Sequence, residues 1–369
     1  MWLLVTLIPC AMKFGRDDSY NNFLIYRDSF LHAIQLLPLY TSYPPLDLFL
    51  YGITFTAIIA PFTIFPPYVG MILWCTANSL LLYYAISKLN LTGSKFAAII
   101  WLVGNELFTC VLMQQYNIAV AGMTISAFAL IERKHDFWAA MIIVLGTITK
   151  VYCIVGLAFF LFSRRKGVFI ASLIFWGVLF FGLPMLYTSP EYVIVQYQDW
   201  IKTLVMKNNI NMFASHTNIS LLGMVRKISG NHLYNDLLIL IPAMLLSVTP
   251  YLRIKQYPNY QFRILCLALL LLSYVLFSTG SENSSYIGAM VAVGLWYIET
   301  PTRHTTPKLN MVLLIFCFLL TSLSPTDIIP SYIRKAYIIP YALKALPCTI
   351  IWVKIIWELL TVDFSKSNN

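Results

Sequence analysis

The chain has 369 residues, of which 59% are hydrophobic and only 11% are charged, and its net charge is +10. Soluble domains are about 25% charged, so this chain has too little polar surface for a water-soluble globule. The basic residues lie in short loops between apolar runs, as at 132–136, 163–166, 253–263 and 302–308. This positive-inside pattern predicts a polytopic membrane protein with membrane lipids around it and no nucleic acid partner.

Apolar runs of the length that crosses a hydrocarbon core, about 17–25 residues, recur along the chain. Within lipid the backbone must satisfy its own hydrogen bonds, so these runs are predicted to be helices. The expected fold class is therefore all-α, a polytopic transmembrane helical bundle. The first run, residues 2–14, is short for a span, which leaves open an unusually short helix or a start that lacks preceding residues.

A polar, aromatic segment follows that first run, and residues 15–67 are predicted to form an external loop. The segment carries Arg27, Asp28 and His32. Pro residues flank and interrupt the apolar stretch 46–65, and these helix breakers favour a re-entrant or interfacial helix. Asp47 is expected to cap the beginning of that helix.

With 46–65 returning to the outer face, the remaining runs alternate and every basic loop falls inside, which gives about a dozen crossings. Residues 137–163 start and end at basic loops, so they are predicted to form two short helices hinged near Lys150. The first loop, the turn at 114–117, a long loop at 189–235 and the "GSENSS" segment then face outward. We expect the active site or binding vestibule on this extracytoplasmic side of the plasma membrane, where nucleotide sugars are absent.

Several polar residues are candidates for that site. Lys150 lies within an apolar hairpin, where a charge costs about 2.5–3.5 kcal/mol; an anion such as a lipid phosphate would offset this, although snorkelling to the interface is the alternative. Arg27 suits phosphate, and Asp28 is a candidate general base or a surface charge. Glu282 is a candidate base or a solvated loop carboxylate. Possible sugar ligands are Tyr26, Tyr43, Gln114, Gln115 and Asn117, although the last three suit a polar turn equally well.

Neither a cofactor nor a metal is predicted. The seven cysteines are scattered singly, mostly within apolar runs, and are interpreted as small core residues. No spacing of Cys, His or carboxylates suits a metal ion. His32 and His216 are isolated, which is more typical of structural histidines.

The order "NNFLIYRDSF", "LY", "YPPLDLFLYGITF" and "FPPYVGMILW" resembles the glycosyltransferase 87 family over roughly residues 15–300. Lys150 after "IIVLGTIT" and the Gln/Asn-bearing hairpin at 106–122 are similar to the family pattern as well. The resemblance implies a GT-C-type membrane glycosyltransferase, similar to polyprenol-phosphate-mannose-dependent mannosyltransferases. In such enzymes a carboxylate of the first external loop is the general base, and cations stabilise the leaving lipid phosphate. Here Asn22 stands at the position of the family Asp, so Glu282 or Asp28 is expected to replace it.

The resemblance therefore predicts one glycosyltransferase domain over residues 1–369. It would move a hexose, with mannose a candidate, from a polyprenyl-phosphate-sugar donor to a glycolipid or surface-polysaccharide acceptor. Arg27 and Lys150 would bind the donor phosphate. The alternatives are a transporter or flippase of lipid-linked sugars and a catalytically inactive homologue.

Overall fold

The computed structural model describes residues 1–214, 217–231, 233–300 and 307–366, and within these ranges it contains helices and no β-strand. This confirms the all-α fold class. The helices are α1 (Trp2–Ala11), α2 (Asn21–Ile34), α3 (Phe55–Thr63), α4 (Pro67–Ser87), α5 (Gly93–Leu112), α6 (Asn117–Glu132), α7 (Asp136–Thr149), α8 (Lys166–Gly182), α9 (Pro190–Phe213), α10 (Leu221–Ser229), α11 (Leu237–Val248), α12 (Tyr260–Leu276), α13 (Tyr286–Glu299), α14 (Pro307–Cys317), α15 (Ser331–Ile333) and α16 (Ala345–Thr361).

Three described helical segments are long and apolar enough to cross a membrane: Pro67–Ser87, Gly93–Leu112 and Lys166–Leu186. Several shorter apolar helices accompany them, which fits a membrane protein. The dozen crossings and the re-entrant helix remain predictions. Within 46–65 only α3 is helical; its nine residues rise about 14 Å at 1.5 Å each, less than half of a ~30 Å hydrocarbon core.

The predicted break near Lys150 is confirmed, because α7 ends at Thr149 and a 3-10 helix runs from Val151 to Leu161. The segment 189–235, predicted as a long loop, is instead largely helical, since it contains α9 and α10. Helix α10 is capped at both ends. The Ser220 hydroxyl accepts a hydrogen bond from the Gly223 N–H at its start, and Gly230 ends the helix with φ of +65°. These are standard capping devices.

Asp47 does not cap a helix, so that expectation is wrong. Helix α3 begins eight residues later, at Phe55, and Thr54 holds the N-cap position. The Asp47 carboxylate instead accepts a hydrogen bond from the Asn21 side chain, 3.3 Å away. The physical reason is that the chain between Asp47 and α3 is held in a non-helical path by bonds to other segments, described below.

The chain forms two compact units. Unit 1 comprises residues 1–90 and 107–207, and unit 2 comprises 91–106 and 208–369. In unit 1, α4 packs against α1 and α6, and α7 packs against α6 and α8. Gly122 allows the close approach of α6 to α4, because an added Cβ would lie 3.2 Å from the backbone of Leu82. Small residues commonly permit such contacts between membrane helices.

Unit 2 is built around α12, α13 and α16, whose packed faces are almost fully buried. A buried ion pair crosses this unit: Lys344 Nζ lies 3.3 Å from Glu106 Oε1, and the two residues are 3% and 0% exposed. Lys344 also donates to the carbonyl of Asn283 at 3.2 Å. Pairing offsets the cost of placing each charge in an apolar interior, so both charges fit within the bundle.

All seven cysteines are buried, which confirms their interpretation as core residues. The assignment of one glycosyltransferase domain to the whole chain remains a prediction. Two sequence features lie outside the described residues: His216 and residues 302–306 of the last basic loop.

Candidate active site

The site is built around Lys150, where the helical structure is interrupted. This residue is extended, with φ of −148° and ψ of 110°, between α7 and the following 3-10 helix. The carbonyl of Thr149 accepts the backbone N–H of Gly52 at 3.1 Å. Gly146 lets the chain fold back on α7, because a Cβ there would come within 2.6 Å of the Cys153 side chain. The hydrogen bond between Gly52 and Thr149 therefore joins the segment that precedes α3 to the end of α7.

The ammonium group of Lys150 lies among aromatic rings. Its Nζ donates to Asn117 Oδ1 at 2.7 Å and lies 5.1 Å from the ring centre of Tyr51 and 5.4 Å from that of Tyr152. Ring faces attract cations by about 0.5–2 kcal/mol, depending on desolvation. Asn117 is a neutral amide, so it orients the ammonium group without cancelling its charge. The arrangement provides a held positive charge suited to an anion.

A buried aromatic cluster supports this position. It contains Tyr26, Tyr51, Phe55, Trp74 and Tyr116, each at most 8% exposed. Tyr51 stacks on Phe55 with ring centres 4.7 Å apart, and Trp74 stacks on Tyr116 at 5.5 Å. The hydroxyls of Tyr26 and Tyr51 lie 3.0 Å apart. Such ring pairs contribute about 0.5–1.5 kcal/mol each beyond burial, so Tyr51 is fixed where it faces Lys150.

The predicted polar turn between α5 and α6 contacts the same cluster. Gln114 has φ of +49°; its carbonyl accepts from Trp74 Nε1 at 3.3 Å, and its side chain donates to the Leu112 carbonyl at 2.6 Å. Asn22 donates to the carbonyl of Met113 at 2.8 Å. Gln115 is half-buried beside them. The structure thus brings Asn22, Tyr26, Gln114, Asn117 and Lys150 into one connected region of unit 1.

A second part of unit 1 contains carboxylates. An open pocket is lined by both acidic and aromatic side chains, among them Asp28, His32, Tyr43, Asp47 and Phe49. Its cavity volume is about 20 Å³, far below the ~300–1,000 Å³ typical of ligand pockets. The rings of His32 and Tyr43 lie 4.1 Å apart. Because Phe49 also packs on Tyr51 at 5.7 Å, this pocket adjoins the aromatic cluster.

Arg27 and Asp28 form an ion pair, with Nη1 and Oδ1 3.5 Å apart and both side chains about one-third exposed or less. Partial burial raises the pKa of Asp28 above its ordinary value, while the positive charge of Arg27 and the neighbouring His32 act in the opposite direction. A carboxyl with a raised pKa is a stronger base. Among the described residues, Arg27 Nε is buried and makes no hydrogen bond.

Glu282 belongs to unit 2 and has a structural function there. It precedes a short 3-10 helix over Asn283–Ser285, and its side chain accepts from the backbone of Ser285 while the Ser285 hydroxyl accepts from the Glu282 N–H at 3.1 Å. This is a reciprocal capping box. The carboxylate is half-buried, and Lys344 bonds to the next residue along the chain.

Helix α9 holds the loop that carries Tyr51. Trp200 Nε1 donates to the Leu50 carbonyl at 3.0 Å, and the Gln196 side chain accepts from the Leu39 N–H at 2.9 Å. The hydroxyls of Thr54 and Tyr197 lie 2.6 Å apart. The residues 37–54 are therefore bound at several points, although they contain no helix.

Sequence analysis did not identify Tyr51, Gly52, Tyr116 or Tyr152 as part of this site. Tyr51 and Gly52 lie in the stretch 46–65, which the sequence predicts to be a re-entrant or interfacial helix, so the loop position of these two residues was not expected. A Tyr-Gly pair in a Pro-bounded apolar stretch is itself a signal, because glycine often marks a close approach of two backbones. Tyr116 directly precedes Asn117, and Tyr152 lies two residues after Lys150; both of these neighbours are candidates from the sequence.

Comparison with known families matches residues 49–279, more than half of the chain, to glycosyltransferase family 87. The matched part contains Tyr51, Trp74, Asn117 and Lys150, whereas Glu282 lies just after it. Asn22, Arg27, Asp28 and Tyr43 precede it. No curated protein matches the chain.

Gly52→Ala is expected to disrupt this site. An added Cβ would lie 1.9 Å from the carbonyl oxygen of Ile148 and 3.1 Å from the Trp200 ring, so the loop must move away from Lys150. We expect a loss of about 1–3 kcal/mol in the free energy of unfolding, as for other overpacked sites, measured by thermal unfolding in detergent. Gly177→Ala is the matched control, because its Cβ meets nothing within 4 Å and alanine favours the helix. Equal losses in both variants would contradict the close approach.

Proposed function

The chain belongs to glycosyltransferase family 87, and on that premise we propose that this membrane glycosyltransferase moves a hexose from a polyprenyl-phosphate donor to a glycolipid or surface polysaccharide. The observation that carries the proposal is the ammonium group of Lys150, which is held at a helix break against Asn117 and two tyrosine rings. We place the active site at the extracytoplasmic face of the plasma membrane, as the distribution of basic loops favours.

Lys150 would bind the phosphate of the donor. When the bond between the sugar and the phosphate breaks, negative charge develops on the leaving phosphate, and a fixed cation nearby stabilises that transition state. Arg27 would contribute a second cation, and its planar fork of donors suits phosphate oxygens. A polyprenyl phosphate carries its own apolar chain, so it can reach the site from the membrane.

Asp28 is our first candidate for the general base. It would accept the proton of the acceptor hydroxyl as that oxygen attacks the anomeric carbon, and polyprenyl phosphate would leave from the opposite side. A positioned base contributes about 10²–10⁴-fold. Asn22 lacks the capacity to accept this proton, because its side chain is an amide. Glu282 is the alternative base; its participation in a capping box makes Asp28 the stronger candidate.

The remaining candidates would contact sugar hydroxyls. Tyr43 lines the pocket with Asp28, which suits the acceptor. Tyr26, Asn117 and the turn with Gln114 and Gln115 surround the Lys150 region, which suits the donor hexose. Asn117 would then both orient Lys150 and hydrogen-bond the donor, whereas Gln114 would act mainly by fixing the turn.

Because Asn22 stands at the position of the family Asp, two alternatives to an active glycosyltransferase follow. A transporter or flippase of lipid-linked sugars would use the same cation and rings without any base. An inactive homologue would have lost the reaction together with the carboxylate. Both predict that the chain binds the donor and does not cleave it.

The test is donor turnover. Purified protein in detergent receives synthetic polyprenyl-phosphate mannose or glucose with a lipid extract, and mass spectrometry follows polyprenyl phosphate and any hexose-bearing product. We expect release with the parent protein, at least about 100-fold slower release with Asp28→Asn, and retained activity with Asp199→Asn, an exposed carboxylate on α9 (38% side-chain exposure). Loss with Glu282→Gln and not with Asp28→Asn would transfer the role of base to Glu282. Binding without release from either donor would favour the two alternatives.

The pH dependence provides a separate check on Asp28. The ionised carboxylate is the active form, so the rate should fall as the pH decreases through its pKa, which burial raises above the ordinary value. Removing the positive charge of Arg27 removes an influence that lowers this pKa. Arg27→Gln should therefore move the acid limb of the kcat/KM profile to higher pH. This shift is separate from any decrease in the maximal value of kcat/KM. An acid limb that stays in place in Arg27→Gln would contradict the assignment of Asp28.

A further inference from the structure

Three turns meet at one end of unit 1. The Arg133 side chain donates to the Lys88 carbonyl at 2.9 Å, which joins the end of α6 to the end of α4. The Ser163 hydroxyl bonds to the Asp136 carboxylate, which joins the start of α7 to the turn before α8. We name this region the basic end, and its cations are Lys88, Arg133, Lys134, Arg164, Arg165 and Lys166.

The basic end has an excess of positive charge. Five of its six cations are exposed, and Lys88 is half-buried. The acidic residues of the same turns are Glu132 and Asp136, and the Asp136 side chain is turned inward, only 3% exposed, toward Ser163. Six cations against two carboxylates give a strong attraction for anions at this surface.

The beginning of α8 adds to this attraction for anions. The helix begins at Lys166, with Arg165 at the N-cap and no side-chain cap for its first N–H groups. Uncapped N–H groups and the helix dipole favour an anion at this end. A Cβ at Gly167 would meet nothing within 4 Å, so the first turn of α8 is accessible. Arg164, Arg165 and Lys166 therefore surround an open helix start.

An apolar surface continues directly from this point along α8. Val168 is 47% exposed, Ile174 64% and Val178 72%, and only a small part of this span is buried. Trp138 on α7, 49% exposed, lies one helical turn or less from Asp136 and is typical of the membrane interface. A ligand that matches both surfaces has an anionic head and apolar chains.

We propose that the start of α8 binds the headgroup of an anionic phospholipid, whose acyl chains lie along the exposed face of α8. A free phosphate would satisfy the cations and leave the apolar face unused, so the combination favours a lipid. The bound lipid would fix the depth of α8 in the membrane. It would also anchor the 3-10 helix Val151–Leu161, which connects this end to the break at Lys150.

The test measures lipid affinity. Delipidated protein in detergent is titrated with phosphatidylglycerol or with phosphatidylcholine of identical acyl chains, and bound lipid is counted by native mass spectrometry. We expect phosphatidylglycerol to bind more tightly than phosphatidylcholine. Arg164→Gln with Arg165→Gln should weaken phosphatidylglycerol binding roughly 30-fold, since each charge near an anionic surface contributes about 1 kcal/mol, and should leave phosphatidylcholine binding unchanged.

Two control variants make the result specific. Lys202→Gln with Lys207→Gln removes the same charge from α9, where Lys202 is 75% exposed, and should not alter the preference. Arg164→Lys with Arg165→Lys keeps the charge and should retain most of the binding. Equal affinity for the two lipids, or an equal loss in both Gln double variants, would overturn the proposal. So would displacement of the lipid by inorganic phosphate at concentrations similar to those of phosphatidylglycerol, which would indicate a site for free phosphate.

Discussion

The candidate site depends on one interruption of a helix. Helix α7 stops at Thr149, and the carbonyl freed there accepts the N–H of Gly52. That bond draws the segment before α3 against the break, and it places the ring of Tyr51 beside Lys150. An unpaired backbone group in an apolar interior costs free energy comparable to a lost hydrogen bond, so the break and the loop stabilise each other.

The structure accommodates the buried Lys344 and the half-buried Lys150 in two different ways. In unit 2, Lys344 faces the carboxylate of Glu106, so the pair is neutral as a whole and links segments distant in sequence. In unit 1, Lys150 donates to the uncharged amide of Asn117 and lies against tyrosine rings. A carboxylate cancels a positive charge, whereas an amide and ring faces preserve it. This difference is why we assign an anionic substrate group to Lys150 and a structural function to Lys344.

Much of the architecture follows from sequence pattern. Apolar run length located the long spans α4 and α5, and the placement of basic loops located the break at Lys150, because only a hinged pair of helices reconciled the charges at both ends of 137–163. The same reasoning selected Asn117 and Lys150 separately. It did not show that Asn117 bonds Lys150, because that contact depends on the register between α6 and α7, which periodicity does not specify.

Other features required the structure. The stretch 46–65 has helical composition, yet the residues before Phe55 are not helical. They are instead hydrogen-bonded to α9 and to the end of α7, since such tertiary bonds outweigh the helix propensity of so few residues. The expected cap at Asp47 failed for this reason. The pair of Glu106 and Lys344 was also missed, although each charge lies within an apolar run and such charges usually have partners. Their separation along the chain concealed the pairing.

The central claim is that Lys150 holds the lipid phosphate, and equilibrium binding of polyprenyl phosphate tests it without any need for turnover. Native mass spectrometry would compare the parent protein with Lys150→Gln and with Lys202→Gln, which removes an exposed lysine of α9. Because a hydrogen bond to a charged group contributes about 1.5–3 kcal/mol, we expect polyprenyl phosphate to bind Lys150→Gln at least tenfold more weakly, on the order of 1.4 kcal/mol or more, and Lys202→Gln with unchanged affinity. If Lys150→Gln binds polyprenyl phosphate with unchanged affinity and has the same thermal stability as the parent protein, Lys150 does not hold the lipid phosphate.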